Sequence, residues 1–308
     1  MPAKAIPPAR DRLQSRLLVW IVMPILCVAG FFAVAEVCLD IPRISNDHLA
    51  SIAISLAFAL VAWRLKGATP AAAACGGIIC LLLTCSFDQP GSHSRSGLEP
   101  LIALFILTYT ATRAGRRRKA QAGLAESRRG RTISQVIANL GAAVPLAFPL
   151  GIIVVQMIWP MPDYQDTSWV IAVLVLSALA EATADTVSSE IGQAFGGSPI
   201  LLTTLRNVEP GTDGAISLRG TLAGILAAAI VAAAGARSMH LSPVQSSIAL
   251  AAGVCGLFFD SLLGATLERK GWIGNDLVNF CSTAFSPTLC LIVLWLIPSL
   301  GPHRFVMY

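Results

Sequence analysis

Long apolar runs alternate with short polar segments along the chain, and the runs reach about 17 to 25 residues, the length at which an α-helix crosses a bilayer. Nine segments can be drawn: Leu17–Leu39, Leu49–Trp63, Pro70–Phe87, Leu98–Thr112, Ile133–Ile158, Ser168–Asp185, Leu218–Ala236, Val244–Thr266 and Val278–Pro298. The pattern predicts an all-α fold, a polytopic transmembrane helix bundle of about nine helices with short or re-entrant elements near a polar site. The leading run is too long, and too poorly followed by small residues, for a cleaved signal peptide, so it counts as a helix.

The sixth segment breaks the pattern. Its apolar run, Ser168 to Ala180, covers about thirteen residues, and Glu181, Asp185, Ser188, Ser189 and Glu190 follow without a turn signal. Glu181, Asp185, Ser188 and Gly192 recur at helical spacing, so a continuing helix carries them on one face. Glu181 would lie roughly 20 Å into a hydrocarbon core of about 30 Å. An ionised carboxylate there costs several kcal/mol unless it is paired, ligated or hydrated. A glycine-bearing segment, FGGSP, and a polar loop, TTLRNVEPGTDG, come next.

A second polar set closes the eighth segment and opens the ninth. Asp260 lies inside the eighth, while Asp276 and Asn279 share a helix face. Oxygen donors without cysteine or histidine suit Mg²⁺, which takes one or two carboxylates, waters and substrate phosphates. Together with the glycines and Arg206 they form a phosphoryl-transfer set. FGGSP is not a Walker loop, because no GK[ST] follows, and the GxxxG pairs Gly192/Gly196 and Gly220/Gly224 read as helix packing.

Composition agrees with a membrane protein: 55% of residues are hydrophobic and 13% charged. The eight cysteines lie in or beside apolar segments with no CxxC pair, which reads as packing and argues against zinc. The net charge of +5 is explained by topology rather than nucleic acid. With a cytosolic N-terminus, eighteen Lys and Arg fall on the cytosolic side and four on the other, as the positive-inside rule requires. The largest basic block, Arg113–Arg131, is then a topology determinant that touches anionic headgroups or binds a phosphorylated ligand. The polar loops share that face. His48, His93, His240 and His303 fall on the other, leaving no cytosolic histidine as general base.

The stretches LAEATADTVSSEIGQAFGGSP, LLTTLRNVEPGTDGAISLRGTLAG, FDSLLGATLERKG and NDLVNF resemble the family called domain of unknown function 92, or transmembrane protein 19. SQVIANLGAA, with Gln135 and Asn139, is similar to the family's middle region. The resemblance covers Leu98 to Pro298, a core at residues 98–300, with residues 1–97 a less distinctive part of the same membrane domain. Members include the plant phytyl-phosphate kinase. The resemblance therefore implies an integral membrane phosphotransferase that uses CTP or another nucleoside triphosphate to convert an isoprenyl monophosphate into its diphosphate.

In that reaction Asp185 and Glu190, with Asp260 or Asp276, would hold Mg²⁺ on the nucleotide phosphates, and Arg206 and Arg219 would neutralise charge between two anions. Backbone amides of Gly196, Gly197, Gly211 and Gly214 would cradle phosphate, with Asn139, Ser188, Thr204, Thr212 and Asn279 completing the substrate contacts. The prenyl tail would lie between helices. A lipid-phosphate cytidylyltransferase and an ion-coupled transporter are the alternatives, and homo-oligomerisation is left open.

Overall fold

The computed structural model describes residues 6–39, 46–85, 96–124, 129–147, 149–158 and 164–297. The fold is a helical bundle. Three helices open it, α1 (Pro8–Leu39), α2 (Asn46–Arg64) and α3 (Pro70–Cys85), followed by α4 (Leu98–Arg113) and a short α5 (Arg116–Gln121) inside the basic block. The expected fifth segment is broken into α6 (Ile133–Leu140), α7 (Ala143–Ala147) and α8 (Pro149–Ile158). α7 begins after Gly141 and α8 begins at Pro149, since Pro145 and Pro149 each lack the backbone donor that would continue a regular helix from the preceding turn. Thr132 caps α6 through a capping box with Gln135.

Helix α9 (Tyr164–Phe195) organises the rest. It runs ten residues beyond the expected end at Asp185, so Ser188 and Glu190 are helical. Residues 168–195 include a span 94% buried, against 39% or less in the other candidate membrane spans. Helices α10 (Leu218–Ser238), α11 (Pro243–Leu263) and α12 (Asn275–Leu296) enclose it together with α4. Five helices among the described residues are long and apolar enough to cross a membrane, with α2 and α3 shorter apolar helices beside them.

Close packing depends on small residues. A Cβ on Gly220 or Gly224 would fall 2.5 Å from the carbonyl oxygens of Ser188 or Ala184, so the α10 backbone lies directly on α9. Gly253 and Gly256 let α11 approach Ala180 and Glu181 in the same way. The described cysteines Cys27, Cys75, Cys80, Cys255, Cys281 and Cys290 are all free thiols.

Contacts at the helix ends reproduce the alternation read from charge. At one end Arg10 donates to the Gly271 carbonyl (3.2 Å), Lys119 pairs with Glu190, and Arg219 donates to the Phe195 carbonyl (3.1 Å). At the other, Arg237 forms a forked pair with Glu99 (2.7 and 3.1 Å), and His240 follows α10. His93 and His303, expected at that second end, lie outside the described residues.

Candidate active site

A ladder of polar side chains joins α12 to α9 and α11. Ser286 donates to the Ser177 carbonyl at 3.1 Å, and Thr283 donates to Oε2 of Glu181 at 2.7 Å. Ser282 donates to Oδ2 of Asp260 at 3.1 Å. Ser177, Glu181 and Asp185 are spaced four residues apart, which puts them on one stripe of α9. Neighbouring helices, not lipid, cover that stripe. Glu181 is 1% exposed, and its Oε1 has no hydrogen-bond partner among the described residues.

Above the ladder the chain between α9 and α10 folds back as a hairpin, β1 (Ile200–Leu201) against β2 (Ala215–Ile216), and no helix re-enters between Phe195 and Leu218. Its tip docks on a π-helical turn, Gly264–Glu268, that ends α11. Gly214 takes φ +71°, and a Cβ there would lie 2.0 Å from the Ala265 nitrogen, so only glycine fits both the backbone conformation and the contact. Ser217 accepts a hydrogen bond from the Gly220 amide at 3.2 Å and caps α10.

Between hairpin and ladder lies a polar cavity with two lobes of about 120 and 170 Å³. Asp185, Ser189, Gln193, Asp260 and Asn275 line both lobes. Ser188, Gly211, Thr212, Asp213, Gly214 and Glu268 line the hairpin lobe, while Arg131, Gln135, Asn139, Glu190 and Asn279 line the other. Glu181, Asp185, Asp260 and Glu268 interact electrostatically, and the Arg131 guanidinium acts on Asp185. Desolvation raises the Asp213 carboxyl above the ordinary aspartate range, with Arg269 opposing the shift. A protein of net charge +5 thus concentrates acids at one site, and mutually repelling carboxylates favour a cation or protons between them.

Of the residues selected from sequence, Asp185, Asp260, Ser188, Asn139, Asn279, Gly211, Thr212 and Gly214 line the cavity, with Glu190 on its wall. The expected four-carboxylate set does not converge. Lys119, 1% exposed, pairs with Glu190, and Asp276 accepts from Ser15 at 2.7 Å outside the cavity. Among the described residues no three His, Cys, Asp or Glu side chains form a group that could hold a metal ion. Arg206, Thr204 and Arg219 are exposed and do not line the cavity, nor do Gly196 and Gly197. Gly196 instead faces Ser217, whose Oγ would lie 2.5 Å from an added Cβ.

The sequence reading did not single out Glu268, Asn275, Gln193 or Asp213 as site residues, and Arg131 stood only within the basic block. Asn275 precedes the selected Asp276 by one position, and the roughly 100° step of a helix decides which of the two faces the cavity. Glu268 reads from sequence as an interfacial charge, and only the π-helical turn brings it inward.

An uncharacterized membrane protein of Methanocaldococcus jannaschii, MJ0933, is 35% identical over 186 residues, 59% of this chain and 70% of that protein. An uncharacterized membrane protein of Synechocystis, sll0875, is 30% identical over 199 residues, 63% and 72% of the two chains. Protein VTE6, chloroplastic, of Arabidopsis thaliana is 29% identical over 205 residues, 66% of this chain, and the match spans 60% of that protein's length. No solved structure matches. The sequence profile described as Integral membrane protein DUF92 matches residues 53–286, from within α2 to within α12, taking in every wall of the polar cavity. With its motifs, its bundle and that profile in agreement, the chain belongs to the DUF92 family of integral membrane proteins.

Proposed function

We propose that this protein is a phosphotransferase of the membrane interface, transferring the γ-phosphoryl group of CTP or another nucleoside triphosphate to an isoprenyl monophosphate. The observation that carries the reading is the polar cavity in which Asp185 and Asp260, on adjacent helices, face the glycine-bearing loop Gly211–Gly214, with Arg131 on the opposite lobe. The family resemblance, which includes a phytyl-phosphate kinase, supports the choice of substrate class.

The donor set fits Mg²⁺. Asp185 and Asp260 supply hard oxygens in a cavity whose described lining holds more acids than cations, and Mg²⁺ commonly takes one or two carboxylates while phosphates and waters fill its other positions. A bound Mg²⁺ would supply charge neutralisation on the nucleotide phosphates. Asp185 and Asp260 would hold it, and the Gly211 and Gly214 amides would bind phosphate oxygens.

An acceptor monophosphate already presents an oxyanion near neutral pH, so no histidine base is needed. Its oxygen attacks the γ-phosphorus; a lipid P–O bond forms, the β–γ bridging P–O bond breaks, and the nucleoside diphosphate leaves with the electron pair. Arg131 would offset the charge of two approaching anions, the part expected from sequence of Arg206 and Arg219.

Purified protein incubated with Mg²⁺, CTP or ATP and isoprenyl monophosphates tests this. Asp185→Asn and Asp260→Asn are each expected to lower turnover by at least about 100-fold, the scale of removing a central electrostatic contact in phosphoryl transfer, with chelation of Mg²⁺ doing the same. Wild-type rates in both variants, with intact monodisperse protein, would remove the site. Release of pyrophosphate with CMP left on the lipid would replace the kinase by a cytidylyltransferase.

A further inference from the structure

A second cavity, of about 470 Å³, opens beside the polar one between α2, α3, α4 and α6. Its body is apolar. Phe58, Leu104 and Phe105 form one side, and the small residues Ala72, Ala73 and Gly76 hollow out α3 on the other. Lys66, Arg113, Arg116 and Arg131 surround one end, and among the described residues no carboxylate lines the cavity.

The basic end is held by backbone. Arg131 N–H donates to the Gly67 carbonyl and Thr69 N–H to the Arg131 carbonyl, both at 3.0 Å, clamping residues 66–69 to 130–131. Gly130 allows the clamp at φ +83°, and a Cβ there would lie 2.7 Å from both the Lys66 oxygen and the Ala68 nitrogen. Arg113 donates to the Leu65 carbonyl at 2.6 Å and lies over the Tyr109 ring at 4.2 Å. Lys66, Arg113 and Arg116, fixed around one opening, repel unless an anion sits among them, while Arg131 on the shared wall also acts on Asp185. The volume lies within the roughly 300–1,000 Å³ of small-molecule sites, and an apolar body with a cationic mouth matches a single-chain lipid with an anionic head. Arg131 and Asn139 line this groove and the acid cavity alike, so a head group at the mouth borders the proposed nucleotide site.

We infer that this groove binds the lipid substrate, its isoprenyl chain along the apolar body and its monophosphate among Lys66, Arg113, Arg116 and Arg131. The identity of the lipid rests on the proposed phosphotransfer; its place rests on the groove.

The test is photo-crosslinking in detergent, without nucleotide, using geranylgeranyl monophosphate with a diazirine at the chain end. Labelled peptides are expected within residues 58–76 and 101–105. Lys66→Gln and Arg116→Gln are each expected to weaken labelling about tenfold, one charge-assisted contact, with size-exclusion profiles unchanged. Unmodified geranylgeranyl monophosphate should compete; geranylgeraniol and phosphatidate should not. Label concentrated on α10 or α11, labelling indifferent to both variants, or equal competition by phosphatidate would each overturn the assignment. Crosslinks in the groove of a protein that forms no nucleoside diphosphate would sink the kinase and leave the lipid site, whereas turnover with crosslinks elsewhere would sink the groove alone.

Discussion

Glu181 shows how a single residue reveals its surroundings. Its depth in an apolar helix demands a partner, and Thr283 donates to its carboxyl at 2.7 Å. Thr283→Val is therefore expected to lower stability by about 1–3 kcal/mol, the cost of leaving a buried polar group without its donor, read by thermal unfolding in detergent. Unchanged stability would mean that Glu181 is satisfied by another route. Asp213 gives a pH signature. Its carboxyl titrates above the ordinary 3.8, so the folded state holds that proton more tightly than the unfolded one. The group costs nothing below the unfolded pKa and destabilises the fold once pH rises above the folded value. Without Mg²⁺, Asp213→Asn should raise the unfolding temperature at about pH 8 and leave it unchanged at about pH 3; the same gain at both would refute the assignment. The need of Glu181 for a partner was legible from spacing and depth, whereas the sequence left Asp260 and Asp276 as alternatives beside Asp185. That Lys119 would reach Glu190, or that Arg131 rather than Arg206 would face the acids, was not legible, because both depend on how the basic loop folds across α9.

Among the elements, α9 sets the geometry of the others. Its apolar half ends early because α10, α11 and α12 shield its acids from lipid. Packing against α10 rests on Gly220 and Gly224, whose spacing already read as a helix-packing motif. Gly224→Leu is expected to push α10 away from Ala184 and Ser188, destabilising the protein by about 1–3 kcal/mol or more, whereas Leu222→Ala on the exposed face should shift stability by less than about 0.5 kcal/mol. Equal effects, measured by thermal unfolding, would contradict close packing at Gly224. Most helix boundaries followed from apolar run length. The broken fifth segment was masked because Gly141, Pro145 and Pro149 sit within a run whose mean apolarity matches a continuous span. The two-residue strands of the hairpin are too short to carry an alternating pattern.

Across the whole molecule, helix-end contacts gather the basic block, the hairpin and the α11–α12 turn at one end, with Glu99 and Arg237 at the other. Charge asymmetry makes the first end cytosolic in the proposed orientation. A fluorescent protein fused after Lys270 should fold and fluoresce in cells, and a periplasmic phosphatase fused after Ser238 should be active; the reverse pair would invert the topology. That orientation places the acid cavity where nucleoside triphosphates are found and leaves the lipid groove within the bilayer.

Transfer of a terminal phosphoryl group to a lipid monophosphate is measured most directly by following that group. Purified protein, Mg²⁺ and geranylgeranyl monophosphate are incubated with CTP or ATP labelled at the γ-position, in parallel with nucleotide labelled at the α-position. The account predicts γ-label in a lipid diphosphate, no α-label in lipid, and neither product with Asp185→Asn. Label entering lipid from the α-position, or a folded wild-type protein that moves neither label, would contradict it.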